Sequence, residues 1–142
     1  MVLRGPLALL VLALGAGWAR AEPEPSFEHA AACVAAMKPN ASALAARYRA
    51  GDDAVKGELL RLAEASFAFI GTAYEAGLRK DEADRLAAAA EERQKSLPSA
   101  ELEKLATACR TEGAALLADA NAFERVLVRE AAKVRVARIR DK

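Results

Sequence analysis

Between residues 53 and 77 the positions Val55, Leu59, Leu62, Ala63, Ser66, Phe67, Ile70 and Tyr74 recur every three or four residues, while Lys56, Glu58, Arg61, Glu64 and Glu75 fall mostly elsewhere on the helical wheel. That spacing predicts one helix of about 24 residues with a single inward face. Gly77 followed by Leu78 predicts its ending, because glycine adopts the left-handed conformation and the next apolar residue packs back. Upstream, Ser26 is suited to cap a helix over Phe27 to Met37. The Lys38-Pro39 pair predicts its end, since proline disfavours helical geometry in the residue before it. Asn40 then caps a second short segment that buries Ala41, Leu44, Ala45 and Tyr48 and stops at Gly51. The two could also form one bent helix.

Downstream, Asp81 is expected to cap a helix running to about Lys95, with Asp81, Glu82 and Asp84 placed favourably in its first turn. Its apolar face is thin, only Ala83, Leu86, Ala87 and Ala90, which predicts a peripheral position. After the Ser96-Leu97-Pro98-Ser99 turn, a seam runs through Leu102, Ala106, Cys109, Gly113, Leu116, Ala120, Phe123 and Leu127, then Glu130, Val134 and Ala137, alternating steps of four and three. Asn121 with Glu124 reads as a capping box, so a break near 119–121 is favoured over one continuous helix. A basic amphipathic helix at about 122–140 would follow. Helical periodicity throughout and short connections predict an all-α fold, an antiparallel bundle of four to five helices.

The first residues follow a different pattern. Arg4 precedes an uncharged stretch with the apolar heart Leu7 to Leu14, and Ala19-Arg20-Ala21 supplies small residues at the spacing a signal peptidase requires. Residues 1–21 are therefore expected to be a cleaved signal peptide, with a cut after Ala21 or, two residues earlier, after Ala19. The apolar run is shorter than the roughly 18 to 20 residues of a membrane anchor. No cysteine directly follows it to carry a lipid. The expected destination is the periplasm, with extracellular release second, and residues 22–142 are expected to form a single helical domain.

Export changes how charge and cysteines are read. The full chain carries 21 Lys plus Arg against 20 Asp plus Glu; without Arg4 and Arg20 the balance is 19 to 20, a formal charge of minus one. Nothing in that balance favours polyanion binding, and export together with the lack of aromatic residues among the basic ones of residues 125–142 means that nucleic acid is not an expected partner. The two cysteines, Cys33 and Cys109, both fall on apolar helix faces, and an oxidising compartment predicts that they pair in one disulfide. A metal site is the competing reading. His29 lies one turn before Cys33, and His29, Cys33 and Cys109 together would offer zinc or copper three donors.

Catalytic signals are sparse. His29 is the single histidine, and neither Gly-x-Ser-x-Gly nor His-Glu-x-x-His surrounds it. The acidic clusters at Asp52-Asp53, Asp81-Glu82-Asp84 and Glu91-Glu92 are accounted for by helix starts and solvated faces. No catalytic residue and no cofactor is expected. From Arg125 to Lys142, seven basic residues stand against Glu130 and Asp141. Arg125, Arg129, Lys133, Arg135, Arg138 and Arg140 are accordingly the candidate contacts for an acidic partner or an anionic membrane surface.

The leader, the helical content and the distant cysteines broadly resemble small periplasmic helical proteins, including envelope-stress chaperones. That resemblance is one of build and assigns no residue a role, and the Leu-Thr-x-x-Gln repeats of one such group do not occur here. Three functions fit these features. The favoured one is a non-enzymatic exported interaction or chaperone-like protein that meets another envelope protein through an apolar groove. The others are a small-ligand or metal carrier using His29, Cys33 and Cys109, and a membrane-surface protein acting through residues 125–142.

Overall fold

The computed structural model describes residues 26–142; the expected leader lies outside them. Five helices pack together: α1 (Phe27–Arg49), α2 (Lys56–Glu75), α3 (Lys80–Gln94), α4 (Ser99–Asp119) and α5 (Ala122–Arg140), with a 3₁₀ turn at Asp53–Val55 leading into α2. The all-α bundle expected from the periodicity is thus observed. Among the described residues, no helix is long and apolar enough to cross a membrane.

The helix ends follow local chemistry. Ser26 Oγ accepts the His29 amide at 3.1 Å and caps α1. At Gly51 (φ +101°) the Asp52 amide reaches back to the Arg47 carbonyl, and at Gly77 (φ +105°) the Leu78 amide reaches the Ala73 carbonyl, both at distances of 3.1 Å or less. These are Schellman endings that a side chain with a Cβ would strain. Asn121 and Glu124 form the expected capping box: Glu124 N–H donates to Asn121 Oδ1 at 2.9 Å, and Asn121 N–H donates to Glu124 Oε2 at 3.1 Å.

Two boundaries differ from expectation. Helix α1 continues through Pro39 instead of stopping at Met37, so the alternative of one helix over both segments is the one observed. Cys33, Ala36 and Met37 before the proline and Leu44 and Tyr48 after it are all buried in one core. Their burial offsets a cost of about 3 kcal/mol for an interior proline. Helix α3 begins at Lys80, with Arg79 rather than Asp81 at the cap position, so Asp81 sits inside the first turn. The Schellman ending at Gly77 leaves only Leu78 and Arg79 as a connection, and the chain re-enters helix at once.

The core is apolar throughout: no described polar or charged residue is buried. Helices α1 and α2 form the central pair; α4 packs on both, α5 packs mainly on α2, and α3 lies on α1. The peripheral place expected for α3 follows from its thin face, of which only Ala90 is buried. Gln94 at its C-terminal end donates to the Ala32 carbonyl of α1 at 2.8 Å.

The inward face of α2 is rotated from the expected stripe. Val55, Leu59 and Leu62 are buried as expected, but the core then continues through Ala65, Ala68, Phe69 and Ala73, while Tyr74 is exposed. Small residues explain the choice. A Cβ added at Gly113 of α4 would lie 2.7 Å from Ala65 Cβ and 2.9 Å from the Ala65 carbonyl oxygen, so α4 seats its backbone directly on α2. Phe67 and Ile70 are too large for that contact and turn aside.

The long seam is also re-phased. Ala106, Cys109 and Gly113 face inward as expected, but Ala120 is extended (φ −65°, ψ 153°) and α5 starts anew. Ala132 and Val136 are the buried residues of α5, whereas Phe123, Leu127 and Val134, which continue the seam on paper, are exposed.

Candidate functional site

Cys33 and Cys109 form a disulfide between α1 and α4, as their placement on apolar faces predicted. Both sulfurs lie in the core, and their residues are at most 1% exposed. His29, one turn before Cys33, brings Nε2 to 3.7 Å from the Cys33 sulfur. Its stronger partner is Glu112, whose Oε2 lies 2.8 Å from the same nitrogen. The edge of the Phe69 ring supports the imidazole, with ring centroids 6.2 Å apart. Sequence reading did not select Glu112. The available signal was its position three residues after Cys109, on the same face of a helix.

A second feature lies across the bundle, where α1, α2 and α5 do not close completely. The space between them is a groove of about 920 Å³. Val34, Ala41 and Ala45 of α1, Phe67 and Ile70 of α2, and Ile139 of α5 supply an apolar lining. The large side chains that α4 could not accommodate therefore face this groove. Its border is cationic: Lys38, Arg49, Arg135, Arg138 and Lys142 line it, with Glu91 the one carboxylate. Glu91 is engaged by Lys38 at 2.6 Å. Arg135, Arg138 and Lys142 make no ion pair among the described residues, which leaves the α5 side of the groove electropositive.

The basic residues of the C-terminal helix thus occupy different environments. Arg125 donates to the carbonyls of Ala118 and Ala120 and ties α5 to the end of α4. Arg140 lies 3.9 Å from the Tyr48 ring centroid, donates to the Tyr48 carbonyl at 3.2 Å and pairs with Asp53 at 2.5 Å. Lys133 pairs with Glu130 on its own helix at 2.7 Å. Arg129 makes no ion pair among the described residues, and Arg135 and Arg138 border the groove. Opposite the buried face of α5, Phe123 is 71% exposed and continues into Val126, Leu127 and Val134.

Compared against family models, curated proteins and solved structures, the chain gives no match.

Proposed function

We propose that this chain is an exported, non-enzymatic interaction protein that holds an acidic amphipathic segment of a partner protein in the groove between α1, α2 and α5. The observation that carries the reading is the pairing of an apolar lining with Arg135, Arg138 and Lys142, which make no ion pair among the described residues. An amphipathic helix laid in such a groove buries its apolar face and leaves its carboxylates beside Arg135 and Arg138. The leader pattern and the Cys33–Cys109 bond support export, to the periplasm first and to the extracellular space second. A chaperone-like role follows if the groove accepts many such segments in damaged clients.

Fluorescent helical peptides that differ only in whether their polar face is acidic or basic provide the test. Acidic peptides are expected to bind, more weakly as salt rises, and Phe67→Glu or the pair Arg135→Glu and Arg138→Glu should each cost at least about tenfold in affinity. Equal binding of both peptide types, or of neither, defeats the proposal. A groove that instead takes up only long-chain fatty acids would be a lipid site.

A second reading is favoured by one observation, the exposed apolar stripe of α5. Phe123, Val126, Leu127 and Val134 beside Arg129 and Lys133 have the composition of a helix that lies in a membrane interface. Flotation with vesicles decides it: retention that requires anionic lipid and is lost in Phe123→Ser with Leu127→Ser supports surface binding, and no retention removes it.

A further inference from the structure

Four metal-ligating side chains converge where α1 meets α4, on the side of the bundle away from the groove. His29 and Cys33 are one turn apart on α1, and Cys109 and Glu112 are one turn apart on α4. The imidazole nitrogen of His29, the sulfur of Cys33 and a carboxylate oxygen of Glu112 lie within 4.8 Å of one another, and Cys109 is bonded to that same sulfur. A tetrahedral zinc ion with bonds of about 2.0 to 2.3 Å sets its donors roughly 3.3 to 3.8 Å apart. The 3.7 Å separation of His29 Nε2 from Cys33 Sγ falls in that range, and the 2.8 Å contact of His29 with Glu112 is a hydrogen bond that an ion would replace. While the disulfide is intact, neither sulfur is a thiolate, and the ligand set is reduced to a surface His–Glu pair.

We propose that the Cys33–Cys109 bond controls a metal site: on reduction, His29, Cys33, Cys109 and Glu112 bind one Zn²⁺, and disulfide formation releases it. The electron balance is that of thiol–disulfide exchange. A dithiol reductant gives two electrons and two protons to the disulfide and itself becomes a disulfide, leaving two thiols. Zn²⁺ then displaces the two thiol protons, which pass to solvent. In the reverse direction the two thiolates give two electrons to the disulfide of an oxidised carrier, which takes two protons from solvent and becomes a dithiol, and the ion leaves hydrated. The path for the ion is through the outer donors, because the side chains of His29 and Glu112 are 50% and 47% exposed while the cysteines are buried. With two donors at helical spacing on each side and Phe69 against the imidazole, the reorganisation required is separation of the two sulfurs and a small widening of the His29–Glu112 contact.

Co²⁺ serves as the probe, with protein purified from cells expressing the full chain and reduced by a phosphine under argon. The reduced protein is expected to take up one Co²⁺ per chain, with thiolate-to-cobalt charge transfer in the near ultraviolet and tetrahedral bands in the visible, and Zn²⁺ should displace it. The oxidised protein should show neither. Cys33→Ser with Cys109→Ser should abolish the charge-transfer band and Cys33→Ser alone should weaken it, whereas His29→Ala and Glu112→Gln should each weaken binding at least tenfold and retain it. If reduction lowers helicity, Zn²⁺ should restore it in the natural sequence and not in Cys33→Ser with Cys109→Ser. Reduced protein that takes up no Co²⁺, equal uptake by the oxidised form, unchanged affinity in both His29→Ala and Glu112→Gln, or lost helicity that Zn²⁺ does not restore would each overturn the proposal.

Discussion

The contact of α2 with α4 and the contact of α2 with α5 show two ways of packing the same helix. On the α4 side, alanines meet a glycine, the backbones approach within van der Waals distance of Ala65, and a disulfide joins α4 to α1. On the α5 side, Phe67 and Ile70 hold the neighbour away, and the remaining space is a groove with a basic border. Where Gly113 meets Ala65 the first contact leaves no room for a ligand, and the second leaves room for one. A bundle built this way has a stiff scaffold of α1, α2 and α4 and a binding surface that α5 completes. Stability and recognition are then separable by mutation, and the separation can be tested from the largest effect downward.

Removing the staple should have the largest effect. Cys33→Ala with Cys109→Ala opens a link between residues 76 apart in sequence, and the chain-entropy model gives a loss of about 4 to 5 kcal/mol. Urea unfolding without reductant measures it, and a loss under about 1 kcal/mol would mean that packing alone holds the scaffold. Next comes Gly113→Ala, which forces a methyl into Ala65 and should cost about 2 to 3 kcal/mol. An unchanged midpoint would show that α4 can slide, contrary to a stiff contact. Arg140→Ala removes the stack on Tyr48 and the contact with Asp53, and an expected loss of about 1 to 2 kcal/mol in the same assay reports how firmly the end of α5 is held. The smallest effect on stability, within about 0.5 kcal/mol, is expected for Arg135→Glu with Arg138→Glu, since neither residue makes an internal ion pair among the described residues. The same double change should remove binding of acidic peptides. Comparable losses of stability at Gly113 and at the Arg135–Arg138 pair would erase the distinction between scaffold and surface.

How far each feature could be read from the sequence depended on the range of the interactions that set it. Ser26, Gly51, Gly77 and the Asn121–Glu124 box act within a few residues, and each helix end they predicted is present. Pro39 gave a misleading local signal, because the burial of Met37 and Leu44 on either side outweighs the proline's own preference. Asp81 was misassigned for a similar reason: the preceding turn had already set where α3 begins. For the candidate sites, His29, Cys33 and Cys109 were legible from their residue types and helical spacing. Glu112 was not, because nothing near it in sequence indicates that α4 presents it to His29.

By itself, the sequence determined the helical class, most of the helix ends, the pairing of the two cysteines and the basic character of the last helix. These depend on backbone preferences, side-chain type and periodicity, all of which act along the chain. Only the tertiary structure decided which side of each helix faces inward. On α2 the choice went to the alanines, since close approach to Gly113 favours small side chains over large ones, and on α5 it was set by the break at Ala120. The groove and the convergence of His29 and Glu112 on the disulfide both follow from those rotations. Neither could be placed before the helices met, because each is made of residues from helices that are distant in sequence.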